Sequence, residues 1–317
     1  PADYKKQIPN KIFNMEEKVL KQKFDDLYNN EILPKIEPFE TERLKLYDKW
    51  KFGNTCSKIF IVLLIGGSFL VSYVKLPVWL LIVWFAAIVV LCIFACDSTV
   101  TSKKFKGKLK TKLLAKILSV FGDFNVFTGS SLITLGEIKK YGLFPYAVSK
   151  TDDDNIAGFY NGMSLYLTET SLSHRVRKSS VIDFRGLIVK TVLNKNYEGM
   201  TVLSRKGNSY SRKRGMERVT LEDPEFNNLY EVFSDNQVEA RYILTPSFMQ
   251  RLKNIEDVFQ AEDIHCVIKD KYITLFIENN EDFFEVGDIG DTLYDKGKFC
   301  QTYNELVSIF NLIHYFK

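Results

Sequence analysis

The stretch Ile59–Cys96, "IFIVLLIGGSFLVSYVKLPVWLLIVWFAAIVVLCIFAC", decides the fold class of this chain, because its 38 residues carry one charge, Lys75. A membrane-spanning helix needs about 20 apolar residues, so the run is too long for one span and right for two joined by a minimal turn. The break falls at "YVKLPVW", where Lys75 and Pro77 interrupt the apolar run. Proline suits the first turn of a second helix, and Tyr73 and Trp79 favour the headgroup level. A two-helix transmembrane hairpin is therefore expected over residues 56–97. The first helix is short, which leaves open a wedge that enters one leaflet and returns.

Working outward, positive charge sets the orientation. Arg43, Lys45, Lys49, Lys51 and Lys58 precede the hairpin, and Lys103, Lys104, Lys106, Lys108, Lys110, Lys112 and Lys116 follow it. The turn holds Lys75 alone, so the positive-inside rule makes the protein multi-pass with both ends cytoplasmic. Residues 1–55 are polar and charged, without the apolar core of a secretory signal. Gly66, Gly67 and Ser68 suit close helix packing, within the hairpin or across a dimer. Neither apolar helix carries a carboxylate, histidine or arginine, so the marks of an ion pathway are missing. Cys56, Cys92 and Cys96 are apolar fillers or, near the cytoplasmic end, lipidation sites.

The organisation that follows is an N-terminal cytosolic helical region (1–55), the hairpin (56–97), a basic amphipathic juxtamembrane helix (98–122) and a cytosolic domain (123–317). In the first region Val19, Leu20, Phe24, Leu27, Tyr28 and Ile32 have helical spacing, with Pro34 as the stop. Whether these helices pack on the cytosolic domain or on lipid is not decided by the pattern. The juxtamembrane run "KKFKGKLKTKLLAKILSVF" is basic and then amphipathic, which an anionic leaflet attracts at ~1 kcal/mol per well-placed lysine. The alternative is a plain topology signal with no further role.

The last 195 residues, 123–317, alternate short strands with short helices. "SSLITLGEIKKYGLFP" is a helix capped by Ser130 or Ser131 and stopped by Gly142. Asn161-Gly162 joins two β-prone runs into a hairpin. Further strands fit 184–193, 200–205, 218–222, 229–233, 264–269 and 272–278, the last two forming a hairpin that turns at Asp270–Lys271. Ser234 and Gln237 have the spacing of a capping box for a helix carrying Val238 and Tyr242. Thr245-Pro246 then opens a helix that buries Phe248, Met249, Leu252 and Ile255. A final helix places Leu306, Phe310 and Ile313 on one face. Strands in close succession with few crossovers make this an α+β fold with a largely antiparallel sheet.

Catalytic chemistry is harder to find. The five cysteines form no CxxC pair, and their odd number argues against a disulfide framework. His174, His265 and His314 are the only histidines. His265 adjoins Cys266 on a strand, where neighbours face opposite ways, so the two form no dyad. No GxSxG, HExxH, P-loop or GxGxxG is present. "TDDDNIAG" fails the calcium-loop spacing and reads as a turn. No cofactor or metal is expected.

A net charge of +4 over 317 residues does not announce a nucleic-acid binder. The basic loop "RKGNSYSRKRG" is a solvated loop or, given the membrane anchor, a site for anionic headgroups. The candidate anionic-lipid contacts are therefore Lys103, Lys104, Lys106, Lys108, Lys110 and Lys112, with Arg212, Lys213 and Arg214 of that loop. The bilayer and an as yet unknown protein partner complete the expected associations.

Several stretches together carry a family resemblance: "LEDPEFNNLYEVFSDNQVEARYILTPSFMQRL", "DDDNIAGFYNGMSLYLTETSL", "FRGLIVKTVLNKNYEGMTVLSR", and "YNNEILPKIEPFETER" ahead of the hairpin. They resemble the uncharacterised bacterial membrane-protein family catalogued as domain-of-unknown-function family 3137 (DUF3137). The resemblance implies the architecture above and a bacterial inner-membrane setting, and no activity or ligand. The functional expectation is a non-enzymatic cytosolic interaction domain held at the membrane, which recruits or regulates other proteins. An anionic-lipid-binding or membrane-shaping protein is the alternative, and an enzyme without a recognisable motif the weaker one.

Overall fold

The computed structural model describes residues 13–73, 77–129, 132–207 and 215–316. Lys75, Ser130, Ser131, Arg212, Lys213 and Arg214, singled out above, lie outside them. The chain divides into two compact units. One comprises residues 25–113 and 285–299, the other residues 1–24, 114–284 and 300–317.

Helix α1 (Phe13–Leu27) passes through a π-helical turn (Tyr28–Ile32) into α2 (Leu33–Tyr73), and α3 (Val78–Leu109) returns beside α2. Pro34 is not the stop that helical spacing suggested. The chain stays helical through the π turn, where the N–H of Leu33 donates to the carbonyl of Tyr28, and α2 contains both Pro34 and Pro38. The two long helices are antiparallel. Lys108 pairs with Glu42 and, further along, Lys49 meets Asp97 at 2.9 Å. Between these pairs and the turn, Phe52 and Phe94 meet edge to face, with ring centroids 5.3 Å apart. Gly53 permits this crossing, since a Cβ there would stand 2.4 Å from the Cβ of Ser98 and 2.7 Å from the carbonyl oxygen of Phe94.

Among the described residues one helical stretch, Trp79–Leu118, is long and apolar enough to cross a membrane; its most apolar 18 residues have a mean hydropathy of 2.9. The juxtamembrane lysines do not start a helix of their own. They extend α3 to Leu109, and a π turn (Lys110–Leu114) then leads to α4 (Ala115–Leu118).

Segment 285–299 is held against these helices by charge. Arg43 donates to the carbonyl of Ile289 at 2.8 Å and pairs with Glu40 at 2.8 Å, while Glu40 accepts from the N–H of Leu293 at 3.0 Å. Arg43 thereby holds the Glu40 carboxyl below its ordinary value.

The other unit is α+β, built on a seven-stranded antiparallel sheet. Strand β1 (Asp123–Thr128) pairs with β2 (Ser149–Tyr160), β2 with β3 (Met163–Val176), and β3 with the long β4 (Ser179–Arg205). Asn161 and Gly162 turn the β2–β3 hairpin with positive φ of 49° and 81°. "TDDDNIAG" is not a turn: it continues β2 through a bulge between Asp152 and Asn155, because the ladder to β3 resumes on the far side.

Helix α5 (Leu135–Tyr141) is capped by Thr134, whose hydroxyl accepts from the N–H of Glu137 at 3.2 Å, and ends at Gly142 with φ 81°. Strand β5 (Glu217–Val219), helix α6 (Pro224–Leu229), strand β6 (Tyr230–Ser234), helices α7 (Gln237–Ile243) and α8 (Pro246–Phe259), strand β7 (Asp263–Glu278) and helix α9 (Lys296–His314) follow. The sheet continues β4-β6-β5 along one path, and β7 pairs with β4 off it.

Strand β7 doubles back as expected. The N–H of Glu262 donates to the carbonyl of Glu278 at 2.8 Å, joining the two ends, and Asp270 turns the chain with φ 53°. Its second arm pairs with Gly186–Val192 and its first with Thr201–Leu203, so β4 must itself reverse between those segments, crossing the tip of β7 at Tyr197.

The core lies on both faces of this sheet. Phe184, Ile188, Val202, Val267 and Phe276 pack under Ile138, Tyr141 and Phe144. On the opposite face Phe310 of α9 stacks on Phe121 and meets the ring of Tyr160 at a tilt of 43°.

Candidate functional site

The polar run Ser234–Glu239 acts on the reversal of β4. Asp235 accepts the N–H of Met200 at 2.6 Å, and Glu239 accepts the N–H groups of Gly199 at 2.8 Å and Glu198 at 3.3 Å. Asn236 caps α7 by accepting from Glu239 N–H at 3.1 Å. The capping box of Ser234 and Gln237 is not formed, because Ser234 ends β6 and its hydroxyl lies 3.1 Å from that of Thr201 on the paired strand. Gly199 has no room for a side chain: a Cβ would meet that of Asn236 at 2.6 Å. Glu239 and Arg241 do not pair with each other, since Arg241 donates to Gln237. The motif is thus a clamp for backbone N–H groups that the sheet leaves unpaired.

A chemically richer cluster sits where the two arms of β7 meet. A two-residue turn at Asp270–Lys271 puts Asp263, His265 and Val267 of the first arm on the same face as Thr274, Phe276 and Glu278 of the second. Ligating atoms of Asp263, His265 and Glu278 lie within 4.8 Å of one another. His265 Nδ1 is 3.0 Å from the hydroxyl of Ser204, and its Nε2 is turned to Asp263 at 3.9 Å. The ring stands edge-on to Phe144, with centroids 5.6 Å apart.

Burial lowers His265 to a pKa of about 4, so it is neutral at physiological pH. Glu278 goes the other way, to about 7, first from desolvation and then from the negative charges of Asp263 and Glu262. Cys266 faces away, with its thiol pushed up by burial. Asp263, His265 and Glu278 are the residues suited to a metal ion.

A second concave feature lies further along this face, a cleft of about 560 Å³ lined by Glu137, Lys140, Tyr141, Lys190, Lys269 and Tyr272. Lys190 is committed to Glu137 and lies 4.2 Å from the ring centre of Tyr272. The cleft is open to solvent and of mixed lining.

The candidate lipid contacts divide. Lys103, Lys104 and Lys112 are exposed, and Lys112 lies 5.8 Å from the ring centre of Phe39. Lys106 meets Glu285 at 3.3 Å, Lys108 pairs with Glu42, and Lys110 is buried against Glu285 at 3.4 Å. Helical periodicity explains the division, since Lys106 and Lys110 lie four apart and share a face with the buried Phe105 and Leu109.

No curated protein matches the chain. Among solved structures, the crystal structure of the mycobacterial trehalose monomycolate transport factor A, TtfA, is similar at a TM-score of 0.37 and 11% identity, covering 61% of this chain and 89% of that one. So distant a likeness carries no argument about fold or function. The clamp motif and the β7 cluster both fall within residues 182–317, which match the family model described as Protein of unknown function (DUF3137).

Proposed function

We propose that the protein is a multi-pass protein of a bacterial inner membrane, with both termini cytoplasmic, whose α+β domain is a non-enzymatic module that recruits or regulates a protein partner. The observation that carries this reading is the apolar surface of the helical pair. Ile61, Val62 and Ile65 on α2 and Ile82, Phe85 and Ile93 on α3 are all exposed, and only 6% of the most apolar part of α3 is buried. A band of that kind is an aggregation liability in water and is satisfied by lipid. The antiparallel packing of α2 and α3 supports reading the pair as two spans.

The domain supports an interaction role by what its polar groups do. The nearest approach to a catalytic line, Ser204–His265–Asp263, is buried, and its second step is too long for a hydrogen bond. An outward surface is available instead on α7, where Val238 is 79% and Tyr242 68% exposed, one turn apart on one side.

The test is purification of the full-length protein from native membranes in mild detergent, with mass spectrometry of what accompanies it. A recurrent partner that is lost from the full-length Val238→Asp variant supports the module. Extraction of the protein by alkaline carbonate would remove the membrane anchor.

One observation favours the anionic-lipid reading. At the β3–β4 turn Val176, Val181 and Ile182 are exposed beside Arg175, Arg177 and Lys178. Apolar side chains flanked by cations suit an anionic surface. Labelling Ile182→Cys with an environment-sensitive dye in nanodiscs separates the readings, because a blue shift that needs anionic lipid and fades with salt belongs to lipid alone.

A further inference from the structure

We propose that Asp263, His265 and Glu278 form a site for one divalent transition-metal ion of the zinc class, fastening the open end of the β7 hairpin. Three observations carry this. The ligating atoms lie within 4.8 Å of one another. Donors on a tetrahedral zinc are about 3.4 Å apart at bond lengths of about 2.1 Å, so small side-chain movements bring all three onto one ion.

The histidine is already oriented. Ser204 holds Nδ1 at 3.0 Å, and with the proton on that nitrogen the lone pair of Nε2 points to the two carboxylates. A metal-bound histidine characteristically donates its other N–H to an oxygen in this way, which fixes tautomer and ring plane together.

The local charge also suits a cation. Asp263 is buried and Glu278 half-buried, and the charges acting most on Glu278, those of Asp263 and Glu262, are both negative. The side chain of Glu278 makes no hydrogen bond or ion pair among the described residues. Two carboxylates brought together out of water need a cation or a proton between them, and a divalent ion neutralises both.

The donor set selects the class of ion. One imidazole and two carboxylates suit zinc, manganese or ferrous iron better than cuprous copper, which wants sulfur, or calcium, which wants more oxygens. Three protein ligands leave one position for water, on the side where Glu278 reaches solvent.

The position in the chain gives such an ion a structural task. Asp263 and His265 come from the first arm of β7 and Glu278 from the second. Their joint coordination would close the hairpin at the end opposite its turn.

The experiment uses tag-free, full-length protein in detergent, stripped with chelator and dialysed against zinc or cobalt chloride, with metal counted by elemental mass spectrometry. About one ion per chain is expected, together with visible cobalt absorption of a four-coordinate nitrogen and oxygen site. Glu278→Gln, which keeps the shape of the side chain, should lower affinity at least tenfold. Ser204→Ala should weaken binding by roughly 10- to 100-fold, the usual effect of losing an outer-shell partner.

Thermal denaturation gives a second readout. The midpoint should rise with zinc concentration in the unmutated protein and stay level in Glu278→Gln. Failure of the unmutated protein to take up stoichiometric metal overturns the proposal, whatever the variants do. So does metal binding that Glu278→Gln and His265→Gln both leave unchanged.

Discussion

Glu239, in the first turn of α7, accepts the backbone N–H of Gly199 at 2.8 Å, across the point where β4 reverses. The contact joins residues 40 apart in the chain. It explains why a helix of only seven residues begins with a dense polar run. Hydrogen bonds to a charged acceptor are worth ~1.5–3 kcal/mol, about twice neutral ones. Replacing Glu239 with Ala is therefore expected to destabilise the domain by about 2 kcal/mol, read as a lower denaturant midpoint with an unchanged slope. Gly199→Ala attacks the same junction from the other side, through the 2.6 Å approach of Asn236. The two losses should be less than additive, because each opens the same clamp.

How far this was legible from sequence depends on the range of the interaction. Asn161-Gly162, Gly142 and Thr245-Pro246 declare themselves because each meets a local demand, for positive φ or for an N-cap before a helix-ready proline. The cap of α7 is Asn236 and not Ser234, because Ser234 stays in β6 with its hydroxyl against Thr201, on a strand 33 residues earlier. The reversal of β4 is invisible locally for the same reason. It is set by which arm of β7 each half pairs with, and only a long-range ladder holds that information.

The β7 cluster was within reach of sequence reading. Once a turn is placed at Asp270–Lys271, alternation puts Asp263, His265 and Glu278 on one face. Comparing His265 with Cys266 looks one residue along the strand, whereas the partners lie two residues back and across the hairpin. The lysine run shows the opposite limit. Its charges suggested one function, and their helical phase gave them several, with Lys110 turned inward to Glu285.

That division predicts different responses to substitution. Lys103→Ala combined with Lys104→Ala should leave the thermal midpoint in detergent nearly unchanged, within about 0.5 kcal/mol, as for exposed residues generally. Lys110→Ala removes a partner of Glu285 from a buried position and should cost about 1–3 kcal/mol. Equal effects from the two variants would contradict the buried placement of Lys110.

Two glycines of α2 should behave differently for a similar reason. Nothing lies within 4 Å of a Cβ added at Gly66, whereas one added at Gly53 meets the backbone oxygen of Phe94 at 2.7 Å. Gly66→Ala is expected to be neutral, or to gain up to about 1 kcal/mol from helix propensity. Gly53→Ala must push α2 and α3 apart, because backbone cannot rotate out of the way as a side chain can. Its melting midpoint should fall below that of Gly66→Ala under the same conditions, and a reversed order would refute the packing of the two helices.

The Glu40–Arg43 pair sets an acid limit on the helical unit. Arg43 holds the carboxyl of Glu40 below its ordinary value of 4.5, by hydrogen bonding first and by charge as well. A carboxylate depressed in the folded state binds protons more tightly when unfolded, so it stabilises the fold above its unfolded value. That contribution disappears as pH falls through the lower, folded value. Stability measured between pH 6 and pH 3 should therefore decline in the unmutated protein, and part of the decline should be missing in Glu40→Gln. The variant should start from a lower plateau at pH 6, since a neutral amide cannot replace the charge that holds Arg43. Its curve should then approach that of the unmutated protein as the pH falls through the folded-state value, beyond which both proteins lack the carboxylate. Parallel curves across the whole range would show that some other acid group carries the transition and that the 2.8 Å pair does not anchor this part of the chain.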